Sequence, residues 1–144
     1  MTAESAAAVI ARLDLAPHPE GGWYRETWRA PSESGVRSPG TAILFLLEAG
    51  QSSHWHRIDA AELWLFQAGT ALTLKTAAHD TGPILETRLG PRASDTPQQV
   101  VAPGEWQAAQ ASPDGWALVA CVVVPGFEFA GFELAAPGWA PAAG

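Results

Sequence analysis

The sequence predicts an all-β sandwich or barrel behind one short N-terminal helix, and three observations carry that expectation. Only residues 4–15 keep a helical period. The remainder breaks into eight or more short runs rich in β-branched and aromatic residues. Gly and Pro, 14 and 12 of 144 residues, punctuate those runs about every ten positions instead of pooling in a linker. A chain of 144 residues fits one domain. It is taken here as 1–144, with the helix over 4–15, the barrel over about 22–134 and a loosely ordered Ala/Pro/Gly tail over 135–144.

In chain order, residues 4–15 combine strong helix formers with Val9, Ile10 and Leu13 at three- and four-residue spacing, so one face is apolar. Thr2 or Ala3 is expected to start this helix and Pro17 to end it. Gly21-Gly22 then opens a strand over Trp23–Trp28. The continuous apolar run Thr41–Leu47 is of strand length and suits burial on both faces or an interface. His54–His56 reads as a strand and Ile58–Ala61 as a turn, and Glu62 begins the next strand through Leu63–Phe66. Ala71–Lys75, Ile84–Leu89, Gln98–Val101, Trp106–Ala109, Ala117–Val124 and Phe127–Leu134 complete the set.

Composition excludes several functions. A formal charge of −7, from 8 Lys plus Arg against 15 Asp plus Glu, opposes nucleic acid and anionic membrane surfaces. The longest apolar stretch, Trp116–Val124, is too short to span a bilayer. No basic start followed by an apolar run marks a secretory signal, and the lone Cys121 admits no intrachain disulfide, so a cytoplasmic setting is expected. Charged residues make up only 16%, against a usual ~25%, which favours a surface partly hidden in a homo-oligomer. A Gly-rich phosphate loop, a Gly-x-Ser-x-Gly elbow and a Cys-His pair close in sequence are all missing.

The informative stretch runs from Gly50 to Gly69. On a strand, His54 and His56 share a face about 6.6 Å apart, and Glu62 on the next strand can bring a carboxylate to the same point. Two imidazoles and a carboxylate suit Fe(II), Zn(II), Ni(II) or Mn(II), with positions left open for substrate. The alternative is a pair of hydrogen-bonded strand histidines. Arg57 is expected to point to the other face and form a salt bridge, with an anion clamp as its functional alternative. Trp23, Trp55, Trp64 and Trp106 read as core or interface anchors, one or two of which could line a pocket. His18 and Glu20 read as residues that fix a Pro/Gly turn. Tyr24 and Glu26 are assigned to opposite faces of their strand, so that at most one enters the barrel. Cys121 reads as packing and His79 as part of a hairpin loop.

Gly50, His54-x-His56, Glu62 and Gly69 resemble the first motif of the cupin superfamily: a Gly, five residues, His-x-His, a few residues, Glu, six residues and Gly. Gly50 sits two residues closer than usual. The second motif, Pro-x-Gly-x-x-His, falls on Pro103-Gly104-Glu105-Trp106-Gln107, where Gln107 replaces the histidine and offers only a weaker carbonyl ligand. His18-Pro19-Glu20-Gly21-Gly22, Trp55-His56-Arg57, Trp106-Gln107-Ala108 and Pro125-Gly126-Phe127 resemble the small single-domain cupin branch of bacteria and fungi, cupin family 5, over roughly residues 10–134. The resemblance implies a double-stranded β-helix jelly roll, commonly a homodimer, with a pocket at one barrel mouth and His56 more constant than His54. It implies no reaction.

Three functions follow as expectations. The first is a barrel that binds a small organic ligand, with one divalent metal (Fe, Mn, Ni or Zn) on His54, His56, Glu62 and Gln107, and with Gln107, Glu26, Trp64 and Arg57 as ligand contacts. The second is similar to the metal-free sugar-nucleotide epimerase cupins, with His56 as general base and Tyr24 as proton donor. Its pyrophosphate would want a basic cluster that eight Lys plus Arg do not readily supply. The third is a metabolite-binding barrel in which nothing reacts.

Overall fold

The computed structural model describes residues 4–142. Helix α1 spans Ala6–Leu13. The strands are β1 (Ala16–Pro17), β2 (Trp23–Arg29), β3 (Thr41–Leu47), β4 (Ser52–Ile58), β5 (Ala61–Gly69), β6 (Leu72–Ala77), β7 (Leu85–Leu89), β8 (Gln98–Val101), β9 (Trp106–Ala111), β10 (Ala117–Val124) and β11 (Phe132–Leu134). They form two antiparallel sheets, one ordered β1-β2-β3-β10-β5-β8 and the other β11-β4-β9-β6-β7, whose inner faces close on each other as a jelly roll.

Alternation within each strand decides what goes inside. Phe45 and Leu47 on β3, Trp64 on β5, Leu72 and Leu74 on β6, Ala109 and Ala111 on β9, and Ala117, Val119 and Cys121 on β10 fill one end of the barrel. Toward the other end the inward positions become Ile43, His56, Ile58, Glu62 and Val123, and the interior opens into a cavity. Helix α1 lies outside the six-stranded sheet, where Val9 and Leu15 pack on Leu46 and Leu118.

Several expectations change. Thr2 and Ala3, where the sequence places the start of the helix, lie outside the described residues; Ser5 caps α1 by accepting the Ala8 N–H at 3.1 Å. It ends at Asp14, whose left-handed backbone (φ 55°) caps Ala11 and Ile10, before Pro17 is reached. The expected Phe127–Leu134 strand is instead a loop, a 3-10 turn at Phe129–Gly131 and only then β11. The tail is pinned through 142, because the Ala135 N–H bonds Trp55 O, Trp139 packs on Trp106 and the Ala142 N–H bonds Asp80 O. It covers the outer face of β4 and β9, where Trp55, Trp106 and Ala108 would otherwise meet water. No helix among the described residues is long and apolar enough to cross a membrane.

Candidate functional site

The site is built around a break in one ladder. β4 and β9 pair at Ser53↔Ala109 and resume at His56↔Gln107, so His54 and Trp55 stand opposite Ala108 alone, a β-bulge. There the Ala109 N–H turns to Ser53 Oγ at 3.0 Å, and the His54 N–H is left free for another partner. The loop His18–Gly22 supplies it: Glu20 O accepts the His54 N–H at 2.7 Å. That approach requires glycine after Glu20. Gly21 has φ +102°, and a Cβ there would stand 2.6 Å from Ser52 O. The loop closes on itself through His18 N–H to Gly22 O at 2.9 Å and Gly21 N–H to His18 O at 3.0 Å.

The docked loop drives the Glu20 carboxyl into the barrel beside His56. Glu20 Oε2 lies 3.1 Å from His56 Nε2 and makes no hydrogen bond of its own. His56 Nδ1–H donates to His54 O at 2.8 Å, which leaves Nε2 as the ring's basic nitrogen. A bare carboxylate facing a lone pair would repel it, so the pair holds one proton between them. Burial pushes Glu20 well above the ordinary carboxylate range, with Glu62 adding to the rise and a Ser53 hydrogen bond opposing it. Burial also lowers His56 to about 4. His18 Nδ1 accepts the Glu20 N–H at 3.1 Å, and burial and the neighbouring His56 lower that ring to about 4 as well.

Glu62 enters from β5 on the opposite sheet. Gln107 Nε2 donates to its Oε1 at 2.8 Å, and Gln107 Oε1 accepts from Trp64 Nε1 at 2.8 Å. Burial raises Glu62 to about 7, against hydrogen bonds from Gln107 and Cys121. Cys121 is buried, and its thiol is pushed up by burial and then by Glu62 and Glu20, so it stays protonated as packing.

These groups line a cavity of about 500 Å³, walled on one side by Tyr24 and Ile43 and on the other by Phe127, Phe129 and Phe132. Tyr24 packs edge-on to His18 with ring centroids 4.5 Å apart. Tyr24 and Glu26 both line the cavity, which corrects their assignment to opposite faces: residues two apart on a strand share a face. Glu26 sits at the rim in a two-pronged pair with Arg29 at 2.8 and 2.9 Å.

The remaining candidates fall outside. His54 Nε2–H donates to Ala136 O at 2.9 Å, and the ring borders a separate pocket of about 260 Å³ behind the bulge. Arg57 pairs with Glu133 at 2.8 Å and lies 4.4 Å above the Trp106 ring, on the outer face. Trp64 is buried in the packed end and lines neither of these two cavities. Gln107 has both ends of its amide engaged and holds Glu62 in place. The set His54, His56, Glu62 and Gln107 therefore does not assemble as metal ligands, because the bulge removes His54 and Trp64 occupies the Gln107 oxygen. Among the described residues, no group of three or more His, Cys, Asp or Glu side chains is placed to hold a metal ion. The residues present do not fit one.

Sequence reasoning missed Glu20 as a site residue. The available signal was a Glu placed directly before Gly21-Gly22, two glycines that a simple turn does not both need.

The family described as cupin superfamily (DUF985) matches residues 7–135. The chain is similar to protein SO0799 from Shewanella oneidensis, at 36% identity and TM-score 0.86, over 93% of this chain and 86% of that one. It is also similar to a hypothetical protein from Leishmania major, at 30% identity and TM-score 0.84, over 94% and 90%. A variant of oxalate decarboxylase from Bacillus subtilis shares the fold, at 16% identity and TM-score 0.64, over 85% of this chain and 30% of that one. No curated protein matches the chain.

Proposed function

The chain belongs to the DUF985 family of the cupin superfamily, and from that membership we propose that its barrel binds a small organic molecule in the mouth cavity without a resident metal. The observation that carries this is the cavity itself: about 500 Å³, mostly apolar walls, and Glu20, His56 and Glu62 converging at its floor. Such a volume suits a ligand of metabolite size held by apolar contact and oriented by a few polar groups.

Of the two catalytic expectations, the metal-free one keeps its residues. His56 Nε2 faces a carboxyl with which it shares a proton, and Tyr24 stands in the same cavity. That arrangement suits accepting or returning a proton on a bound ligand, with Glu20 setting the protonation of the imidazole. Glu20 and His56 would touch the reacting atoms, and Glu62 would orient the ligand.

We further propose that two copies pair through the outer face of the six-stranded sheet. Trp28, Ala42, Val122, Leu63 and Val100 lie in one cross-strand row over five strands, none of them charged. Helix α1 covers only the neighbouring corner. With its one cysteine buried, the protein suits a reducing cytoplasm.

A fragment library screened by ligand-observed NMR tests the binding claim. Hits should survive dialysis against a chelator and vanish in Ile43→Trp, which fills the cavity. Hits that need added metal, or that persist in Ile43→Trp, would refute it.

A further inference from the structure

The charged groups around the cavity do not balance. Five carboxyls line it, Asp14, Glu20, Glu26, Glu62 and Glu128, against Arg25 and Arg29, with no lysine. Arg29 grips Glu26 and reaches Phe127 O at 3.0 Å, while Arg25 is exposed and turns its Nε to Leu13 O at 2.8 Å. The floor around Glu20, His56 and Glu62 therefore holds no arginine or lysine to receive an anionic ligand. Glu20 there is nine-tenths buried, and its Oε2, which no other protein group bonds, has only the one proton shared with His56 Nε2 at 3.1 Å. Two buried acceptors with a single proton between them gain when a ligand brings further donors.

The wall beside that floor is aromatic. Phe127, Phe129 and Phe132 form an edge-to-face cluster with ring centroids 4.9, 5.9 and 6.0 Å apart, and Phe132 lies 5.6 Å from the His56 ring. Aromatic faces next to a carboxyl are the usual recognition surface for an organic cation, because ring quadrupole and carboxylate attract the same charge.

We propose that the cavity takes a small organic cation, an ammonium group carried on an apolar body, with the ammonium toward Glu20 and Glu62 and the body against Phe127, Phe129 and Phe132. This rests on the reading of the cavity as a small-molecule site and narrows it to one chemical class. The same charge balance excludes phosphorylated and carboxylated ligands from the floor.

Three probes of nearly equal shape separate the possibilities: benzylamine, benzyl alcohol and benzoate, titrated into the full chain by calorimetry and ligand-observed NMR at neutral pH. The amine should bind at least about tenfold more tightly than the alcohol, and benzoate more weakly than either. In Glu20→Gln and in Glu62→Gln, the amine-to-alcohol affinity ratio should fall toward one. Equal affinities for amine and alcohol, or a preference for benzoate, overturn the cation assignment while leaving the cavity a binding site. Failure of all three probes to bind removes both the assignment and the small-molecule reading beneath it. An amine preference that persists unchanged in both variants overturns the roles given to the two carboxyls.

Discussion

At the level of single residues, the interior is organised by polar groups that satisfy one another across the barrel. Gln107 is the clearest. It joins Trp64 on the packed side to Glu62 on the cavity side, and both of its bonds are buried. Replacing it with Leu leaves the indole N–H and the carboxyl without partners, so Gln107→Leu should cost about 2–4 kcal/mol in a denaturant titration. The acid–base groups also predict how stability depends on pH. The native Glu20–His56 pair keeps one proton over a wide range, whereas in the unfolded chain the two groups return to their ordinary values of 4.5 and 6.5. Between those values the unfolded pair also holds one proton, so this pair makes stability flat there. Above 6.5 the unfolded pair gives up its proton and the native pair does not, so stability falls as pH rises. Below 4.5 the unfolded pair takes up a second proton, and stability falls as pH drops. Glu62, raised to about 7, favours the native state less as pH climbs from 4.5 to 7, and His18, lowered to about 4, favours it more up to 6.5. These two slopes oppose each other within the plateau, each worth about 1.4 kcal/mol per pH unit. Thermal melts should therefore show a plateau between about pH 4.5 and 6.5 and a decline above it. In Glu62→Gln the plateau should tilt upward toward pH 6.5. A wild-type Tm still climbing from pH 7 to 8 would contradict the one-proton pair.

At the level of elements, the strands were legible because their signals are local. Thr41–Leu47 and Ala117–Val124 stand where apolar runs between turn residues place them. The bulge in β4 was not legible, since nothing within Ser52–Ile58 marks it. It depends on the register with β9 and on a loop more than thirty residues upstream that binds the freed His54 N–H. A regular strand would have turned His54 and His56 to one face, and the expected metal set followed from assuming one. The same dependence makes the loop's glycine decisive. Gly21→Ala must strain a φ of +102° and push a methyl group into Ser52 O, so the loop should lift and carry Glu20 out of the floor. We expect a loss of about 2 kcal/mol or more, together with loss of cavity binding. Gly35→Ala is the matched control: its φ is +79° with nothing within 4 Å, so it should cost about 1–2 kcal/mol of backbone strain and leave binding intact. Equal effects of the two substitutions would mean that the docked loop does not position the site.

At the level of the whole molecule, the sequence's shortage of charge matches an apolar outer face of the six-stranded sheet that no element covers among the described residues. Charged residues are 16% of the chain. The tail seals the outside of β4 and β9, and helix α1 seals the corner around Leu46 and Leu118. The row Trp28–Ala42–Val122–Leu63–Val100 is left, crossing about 19 Å of sheet at the usual strand spacing, with Trp28 and Val100 more than half exposed. The next row, Arg25–Leu44–Ala120–Leu65–Gln98, is apolar in its middle and polar at both ends, as expected at the margin of an interface. A continuous apolar strip of this kind is unfavourable in water and is removed when a second copy lays the same face against it about a two-fold axis. Val122 sits at the centre of the strip on β10, outward and away from the barrel core, so a charge there tests the contact without reaching the cavity. Wild-type protein at micromolar concentration should have the mass of a dimer by light scattering, and Val122→Asp that of a monomer with its fragment binding retained. A monomeric wild type would rule out this face as the contact, and a Val122→Asp dimer would move the interface elsewhere on the barrel. If monomerisation also abolished fragment binding, the mouth cavity would depend on assembly, because no cavity-lining side chain comes from this strip's centre.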